Sequence, residues 1–380
     1  MPKNKLIDNL NLRFTQLLIS HKYALMQQGA SNFLNFEDTE QGSSRRELLA
    51  VEAVARMKDR EQMEDKQKFK EYIEIALHEK IRFLLEERLS ETEEIYKEVI
   101  HIQDEVPALL DILSVKAASI NRIDPLVNHL VWLKEELIKL ANLPQYRRSD
   151  RAVVRLEDAG LVLRFIGLDN LKMIIPAFAK RHWLPHSTEP YTLMRRKLWE
   201  HSLATGIAAK RIAQEEDENS FFAYCLGLFC EVGATAVIRL YMKTFQEVWE
   251  KEVRFARDER MKDEHDALVD MELNPAFLCE MLLAHSNNVS MDMIQMMDLK
   301  RLYIAPAMHD LVAIPYDDRQ PIAQIVSRAS WYSKYKILVK HRLINNQEVK
   351  ELFHYLHMSR STLEILNKTN LKNLSLEFED

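Results

Sequence analysis

Two histidines follow a glutamate by three positions, a spacing at which one helix face can present both side chains to a metal ion. The pairs are Glu98 with His101 and Glu351 with His354. The chain, however, contains 13 histidines and 58 acidic residues in 380 positions, so chance alone predicts about two pairs with this spacing. The pairs therefore give no evidence for a metal site.

Motifs that build phosphate-binding or nucleophilic loops, such as GxGxxG, the Walker A loop and GxSxG, do not occur in the sequence. A short basic cluster is the remaining candidate for phosphate contacts. Its members are Arg147, Arg148, Arg151 and Arg155, with Tyr146 beside them. The chain carries a net charge of −6, so no global basic field attracts nucleic acid. The cluster is better explained as a solvated face or as a contact for an acidic helix.

The stretch with the clearest organisation runs over residues 195–237. Its first half has apolar residues at helical spacing, among them Leu198 and Ile207, and predicts an amphipathic helix. The second half, Phe221–Val232, is apolar almost all round, which predicts a helix buried on every side. Gly233 stands where that helix should end.

This stretch resembles the centre of the HD superfamily of metal-dependent phosphohydrolases, in its HDOD branch, the HD-related output domain of bacterial signalling proteins. In that family a helix with the pattern LW.HS precedes a buried helix that reads GLLHDIG. The residues that match the first pattern are Leu198, Trp199, His201 and Ser202. The second reads GLFCEVG here, with Cys230 and Glu231 where the catalytic branch has histidine and aspartate.

The resemblance extends over roughly residues 100 to 370 through weaker motifs that keep the family's order. After the central stretch it includes the segments Asn274–His285, Pro321–Leu338 and Glu351–Leu366. The matching residues before the central stretch are Val106, Pro107, Leu109, Leu113, Ile123, Asp124, Pro125, Leu126, Leu140, Ala141, Asn142, Tyr146, Ala159, Leu163, Ile166, Gly167 and Leu171.

The resemblance implies a metal site that has been dismantled. In catalytic HD proteins a histidine, a His-Asp pair and a further aspartate hold a divalent metal that activates water. The corresponding positions here are His201, Cys230, Glu231, His285 and Ser330. A thiolate in an apolar helix would be costly, and a serine offers no carboxylate. We therefore expect no catalytic residue, no bound metal and no cofactor. His201 is then a hydrogen-bonded core histidine, and Glu231 a helix-end or pocket carboxylate.

The composition predicts an all-α protein located in the cytoplasm. Seven glycines and 11 prolines are too few for turn-rich sheets or βαβ units. The three cysteines lack CxxC spacing and are interpreted as reduced core thiols. Uninterrupted apolar runs stay shorter than the ~18 residues of a membrane helix, and the first residues do not resemble a signal peptide. We therefore expect no membrane contact.

The long N-terminal part contains two predicted helices. Lys5–Gln28 is amphipathic and is expected to pack or dimerise rather than bind a membrane surface. Residues 29–44 form a polar linker. Residues 45–100 contain neither glycine nor proline and predict one very long helix, interpreted as a dimer or signalling stalk rather than a charged decoration. The predicted segments are an N-terminal helical extension over residues 1–100, an HDOD-like multi-helix domain over 101–372 and a tail over 373–380.

Local signals predict several helix boundaries. Asp124 and Pro125 are expected to begin a helix, as cap and first-turn proline. Asn142 is expected to end one in a left-handed conformation, and Gly167 to end another. Pro176 is expected to kink or break the helix that contains it.

The expected function is a non-catalytic regulatory or interaction module in bacterial signal transduction. It would contact protein partners through helical surfaces and form a homodimer through the N-terminal helices. The alternative is a residual metal-dependent phosphohydrolase acting on a nucleotide or cyclic dinucleotide. A weaker third option is a nucleic-acid-binding regulator that uses Arg147 and Arg148.

Overall fold

The structure is a computed structural model that describes residues 5–29, 50–144, 155–374 and 376, with the backbone alone for 50–62. Within these ranges the chain forms helices and no strand, which confirms the all-α prediction. The helices are α1 (Lys5–Ile19), α2 (His21–Gln27), α3 (Ala50–Ser90), α4 (Thr92–Glu94), α5 (Glu105–Leu113), α6 (Ile120–His129), α7 (Val131–Ala141), α8 (Ala159–Ile166), α9 (Leu168–Trp183), α10 (Met194–Glu215), α11 (Ser220–Phe229), α12 (Val232–Asp258), α13 (Lys262–Val269), α14 (Pro275–Met296), α15 (Ala305–Ala313), α16 (Pro321–Lys340), α17 (Asn346–Tyr355) and α18 (Arg360–Lys368).

Some predictions lie outside the described residues. These are the linker over residues 30–44, the helical residues 45–49, the basic cluster apart from Arg155, and most of the tail.

The first predicted helix is two helices. Ser20 adopts an extended conformation (φ −152°, ψ 135°) between α1 and α2, and its hydroxyl accepts a hydrogen bond from the Tyr23 amide at 3.4 Å. The prediction of a single helix over Lys5–Gln28 is therefore wrong, because the serine acts as an N-cap inside the amphipathic pattern.

The long charged helix is present as α3, which spans 41 residues. It ends at Ser90 rather than near residue 100, since Glu91 leaves the helical region (φ −87°, ψ 72°). A π-helix over Ile95–Val99 follows α4. The apolar face of α3, which includes Leu77 and Ile81, packs against α12, α13 and α14. The extension is thus joined to the helices of the predicted domain.

The prediction for Pro125 is wrong, and Pro176 does not break its helix. Pro125 lies inside α6, which begins after Ser119 in an extended conformation (φ −143°, ψ 150°), so Asp124 does not cap it. Pro176 lies inside α9, which continues to Trp183. In both helices the surrounding packing compensates for the loss of the backbone hydrogen bond that proline cannot donate.

Asn142 and Gly167 both end a helix, by different means. Gly167 has φ 78° and follows α8, as predicted. Asn142 follows α7 with φ −91°, so its predicted left-handed conformation is wrong. Instead its side chain holds the next segment, donating to the Leu156 carbonyl at 2.8 Å and accepting from the Leu156 amide at 3.0 Å.

Gly233 is required for close packing, so the prediction that it ends a helix is wrong. The buried helix α11 stops at Phe229, and α12 begins at Val232 after a turn. A Cβ atom on Gly233 would lie 2.1 Å from the Ser286 carbonyl oxygen of α14. No other residue type allows this approach of α12 to α14.

A helical stretch over Ser220–Asp258 is apolar and long enough to cross a membrane by length and composition. It comprises α11, the turn and α12, and 78% of its most apolar window is buried inside the protein. A mostly buried core helix passes the same test, so the stretch is weak evidence for a membrane span.

Candidate functional site

His201 lies in the middle of α10 and is only 2% exposed. Its Nδ1 is 2.8 Å from the Ser333 hydroxyl of α16. Its Nε2 is 3.1 Å from Oε1 of Glu231, which is an ion-pair distance without the angle of a hydrogen bond. The imidazole therefore bridges α16 and the turn between α11 and α12.

Two glycines bring α10 and α11 into backbone contact beside this histidine. A Cβ atom on Gly227 would lie 2.9 Å from the Cα of Gly206, and one on Gly206 would lie 2.8 Å from the Leu228 side chain. The GLFCEVG segment needs glycine here so that Glu231, at the end of α11, comes within reach of His201.

Glu231 is held by two lysines as well as by His201. The Lys334 ammonium of α16 lies 3.0 Å from Glu231 Oε1, and the Lys180 ammonium of α9 donates to the Glu231 carbonyl at 3.3 Å. Burial alone would raise the pKa of the Glu231 carboxyl, but His201 and Lys334 outweigh it and hold that pKa well below its ordinary value. The carboxylate is therefore charged at neutral pH and already paired.

The Cys230 side chain is buried in the core. Its thiol donates to the Gly227 carbonyl at 3.5 Å. Burial, with the nearby Glu231 charge, raises the pKa of the Cys230 thiol to about 12. The thiol stays protonated at neutral pH, and a metal ligand must be a thiolate.

Helix α1 covers this group of side chains. The Phe14 ring lies 4.8 Å from the His201 ring, centroid to centroid. The Lys334 ammonium donates to Asn11 Oδ1 at 3.0 Å and sits 5.1 Å from the Phe14 centroid. One turn further along, Lys197 of α10 donates to the Leu17 carbonyl. We call His201, Glu231, Ser333 and Lys334 the His201 cluster.

The two remaining predicted positions lie elsewhere. His285 is half-buried on α14, near Glu280, whose carboxyl pKa is lowered mainly by the hydrogen bond from Arg82 and further by His285. The α14 residue that reaches this region is Ser290. Its hydroxyl accepts a hydrogen bond from the Gly233 amide at the start of α12, at 2.8 Å. On α16 the contact to His201 comes from Ser333, one helical turn after Ser330, which the resemblance places at the family's carboxylate position.

Sequence reasoning missed Ser333, Lys334, Asn11 and Phe14. The apolar face of α1 marked Phe14 as buried, but nothing in the sequence indicated which surface it would cover. For Ser333 and Lys334 of α16, the available signal was their position about one turn after Ser330, which the resemblance places at the former metal site.

The resemblance to HD phosphohydrolases raises the question whether a divalent metal binds here. The residues present do not fit such a metal. The Glu231 carboxylate is paired with an ammonium group, the Cys230 thiol is protonated, and α16 contributes a hydroxyl and an amine instead of a carboxylate. In the part of the chain that the structure describes, no three histidine, cysteine or acidic side chains are arranged to hold an ion.

The fold and the buried histidine at its centre define a class, the all-α proteins with an HD-type core. A family model for the HDOD domain matches residues 101–285. This match identifies an HDOD domain over residues 101–285 of the chain. The chain is similar to an HDOD domain protein of unknown function from Geobacter sulfurreducens whose crystal structure is known. The two share 22% sequence identity over 74% of this chain and 97% of the other, with a TM-score of 0.42. No curated protein matches the chain.

Proposed function

We propose that this protein is a non-catalytic regulatory or interaction module in bacterial signal transduction, built on an HD-phosphohydrolase scaffold that has lost its metal ligands. One observation carries the proposal: the Lys334 ammonium binds the Glu231 carboxylate where the resemblance leads one to expect a metal-binding acid. A fixed positive charge cannot ionise a water molecule as a bound metal does.

The covering helix supports the same proposal. A hydrolase must admit a phosphate ester and a water molecule to its reacting atoms. Here Phe14 packs on His201, and the side chains of Glu231 and Lys334 are 21% and 12% exposed. The cluster instead ties α1 to α10 and α16, so its role is to hold helices together.

The proposal is tested by metal analysis and by hydrolysis assays on the purified full chain. We expect no stoichiometric metal, and no turnover of bis(p-nitrophenyl) phosphate or a cyclic dinucleotide with manganese. Stoichiometric metal together with turnover that His201→Ala abolishes would refute the proposal and establish a residual phosphohydrolase.

An interaction module needs a surface, and α3 offers one. On the face turned away from the core, Tyr72, Ile75 and Phe83 are 67%, 61% and 72% exposed. Exposed apolar stripes of this kind mark interfaces. We propose that a second copy of the chain covers the stripe, with the two α3 helices antiparallel.

The pairing is self-complementary in this arrangement. An antiparallel register that places Tyr72 opposite Phe83 of the second copy also places Lys68 opposite its Glu87. Aromatic residues then meet aromatic residues, opposite charges meet at the rim, and a twofold axis repeats both contacts.

Light scattering on the full chain tests the dimer. We expect a dimer at tens of micromolar, and a monomer for Tyr72→Glu and for Phe83→Glu. Phe255→Glu is a matched control, because Phe255 is also an exposed aromatic residue on a helix, at 55%, and its substitution should leave the dimer intact. A monomeric wild-type chain would refute the dimer.

A further inference from the structure

A cleft separate from the His201 cluster lies where the HDOD domain begins. Its volume is about 460 Å³, and its lining residues are Lys97, His101, Ile102, Gln103, Trp132 and His182. This volume is within the range of small-molecule sites, about 300 to 1,000 Å³. No member of the His201 cluster lines it.

One wall of the cleft is a stacked pair of aromatic rings. The Trp132 and His182 rings are parallel to within 7°, with centroids 4.1 Å apart. The Trp132 indole N–H donates to Gln103 Oε1 at 2.8 Å, which fixes the orientation of the ring. Both rings are only half-buried. A planar, oriented and accessible π surface is what a heterocyclic base stacks against.

Another part of the cleft lining comes from irregular backbone. Lys97 lies within the π-helix Ile95–Val99, a conformation that is rare and frequently found at functional sites. His101 ends this segment with φ 60°, and its Nδ1 lies 2.9 Å from the Lys97 carbonyl oxygen. A left-handed conformation is unfavourable for a non-glycine residue. Together these features present an ammonium and an imidazole at the cleft.

One arginine, two histidines and one acid lie near the stacked pair. Burial lowers the pKa of His182, and the neighbouring His186, Arg239 and His101 lower it further, against a single opposing acid, Glu136. Arg239 is fixed because it donates to the Val99 and Leu184 carbonyls.

Acidic groups also lie near Lys97. Lys97 is paired with Glu93, and Asp104 and Glu98 lie near it. Glu93 is highly exposed, at 72%, so an incoming anion can displace it from the ammonium.

We propose that this cleft binds a purine nucleotide, with the base against the Trp132–His182 wall and the phosphate beside Lys97 and His101. Recognition combines stacking on the rings with charge-assisted hydrogen bonds from the ammonium and the imidazole. The site is independent of the proposed loss of hydrolysis and of the α3 dimer, so each can fail without the others.

Calorimetric titration of the full chain with AMP and with GMP tests the proposal, and adenosine and inorganic phosphate serve as the two halves of the ligand. We expect the nucleotides to bind more tightly than either half. Trp132→Ala should weaken nucleotide binding about 5- to 150-fold, the range for loss of one base–aromatic stack. Lys97→Gln should weaken AMP binding several-fold and leave adenosine binding unchanged.

Lys172→Gln is the matched control, since Lys172 is another lysine paired within its own helix, to Asp169 at 3.2 Å, and it should leave every affinity unchanged. If Trp132→Ala does not fold, as judged by circular dichroism, the surface variant Lys97→Gln still decides. Failure of AMP and GMP to bind at about 1 mM would overturn the proposal. So would AMP binding that Lys97→Gln leaves unchanged, or phosphate binding as tight as that of AMP.

Discussion

Glu231→Gln removes one negative charge from the His201 cluster and nearly preserves the shape of the side chain. In the wild type this carboxylate lies 3.0 Å from the Lys334 ammonium and 3.1 Å from His201 Nε2. In the variant the ammonium, which is 12% exposed, loses its negatively charged partner and keeps neutral ones: the glutamine oxygen, Asn11 and the Phe14 and Trp331 rings. We expect the substitution to destabilise the protein and to loosen α1.

Removing one partner of a fully buried ion pair costs about 3 to 5 kcal/mol. The cost here is lower because Glu231 is 21% exposed and because the glutamine oxygen still accepts from Lys334. We expect a loss of about 2 kcal/mol in the free energy of unfolding at pH 7. The exposed pair Arg88–Glu247, at 29% and 45%, provides the control: Glu247→Gln should cost less than about 1 kcal/mol.

Urea unfolding of the wild type and both variants measures these costs. The pKa of Glu231 is lower in the folded state than the ~4.3 of an unfolded glutamate. Its stabilising contribution is therefore fully present above that unfolded pKa and is lost as the pH falls toward the folded one. The gap between wild type and Glu231→Gln should be constant at neutral pH and shrink below about pH 4.3. A variant at pH 7 that is as stable as Glu247→Gln would refute the argument.

Three further substitutions have defined outcomes. His201→Ala should lower the melting temperature by several degrees, because Glu231 and a buried hydroxyl lose their partner; an unchanged melting temperature would contradict this. Lys180→Met should stabilise the protein at pH 7 by up to about 3 kcal/mol, because burial lowers the pKa of Lys180 to about 8. That advantage should shrink between pH 8 and 10.5, since there the unfolded lysine still holds a proton that the folded one has lost; equal urea midpoints at pH 7 would count against it. Gly233→Ala should prevent stable folding, because its Cβ would meet backbone at 2.1 Å, whereas Gly160→Ala, with a closest contact of 3.3 Å to a side chain, should be tolerated in the same melting assay.

The helical character of this protein is a local property and was predictable. Apolar residues at helical spacing, the scarcity of glycine and caps such as Asn274 all act within a few residues of the element they define. Asn274 accepts from the Ala276 and Phe277 amides, as an N-cap should. Gly167 likewise ends α8 with a positive φ.

Residues with two possible roles were not predictable from their neighbours. Glycine after an apolar helix commonly marks an end, yet Gly233 is needed because another helix comes within contact of it. Proline commonly marks a first turn, yet Pro125 sits inside α6. In both cases packing with distant parts of the chain decides which role applies.

The His201 cluster likewise combines residues that the sequence identified with residues whose role depends on distant packing. His201 and Glu231, which the family pattern placed at one site, lie 3.1 Å apart. On α16 the pattern identified Ser330, whereas the contact to His201 comes from Ser333, because the weak motif there does not fix which turn of the helix faces the histidine. The cover provided by Phe14 depends on contacts with His201 and Lys334, which are both far from it along the chain.

That long-range contact sets an order of assembly during translation. Arg13 of α1 bonds to the Leu343 carbonyl and to Glu348, and Asn11 bonds to Lys334, across separations of more than 320 residues. Contacts this distant form late, since the ribosome must first deliver α16 and α17. Until then α1 can pack only against earlier helices such as α10 and α14, and a nascent chain stalled before α16 would leave the rest of its apolar face exposed to chaperones.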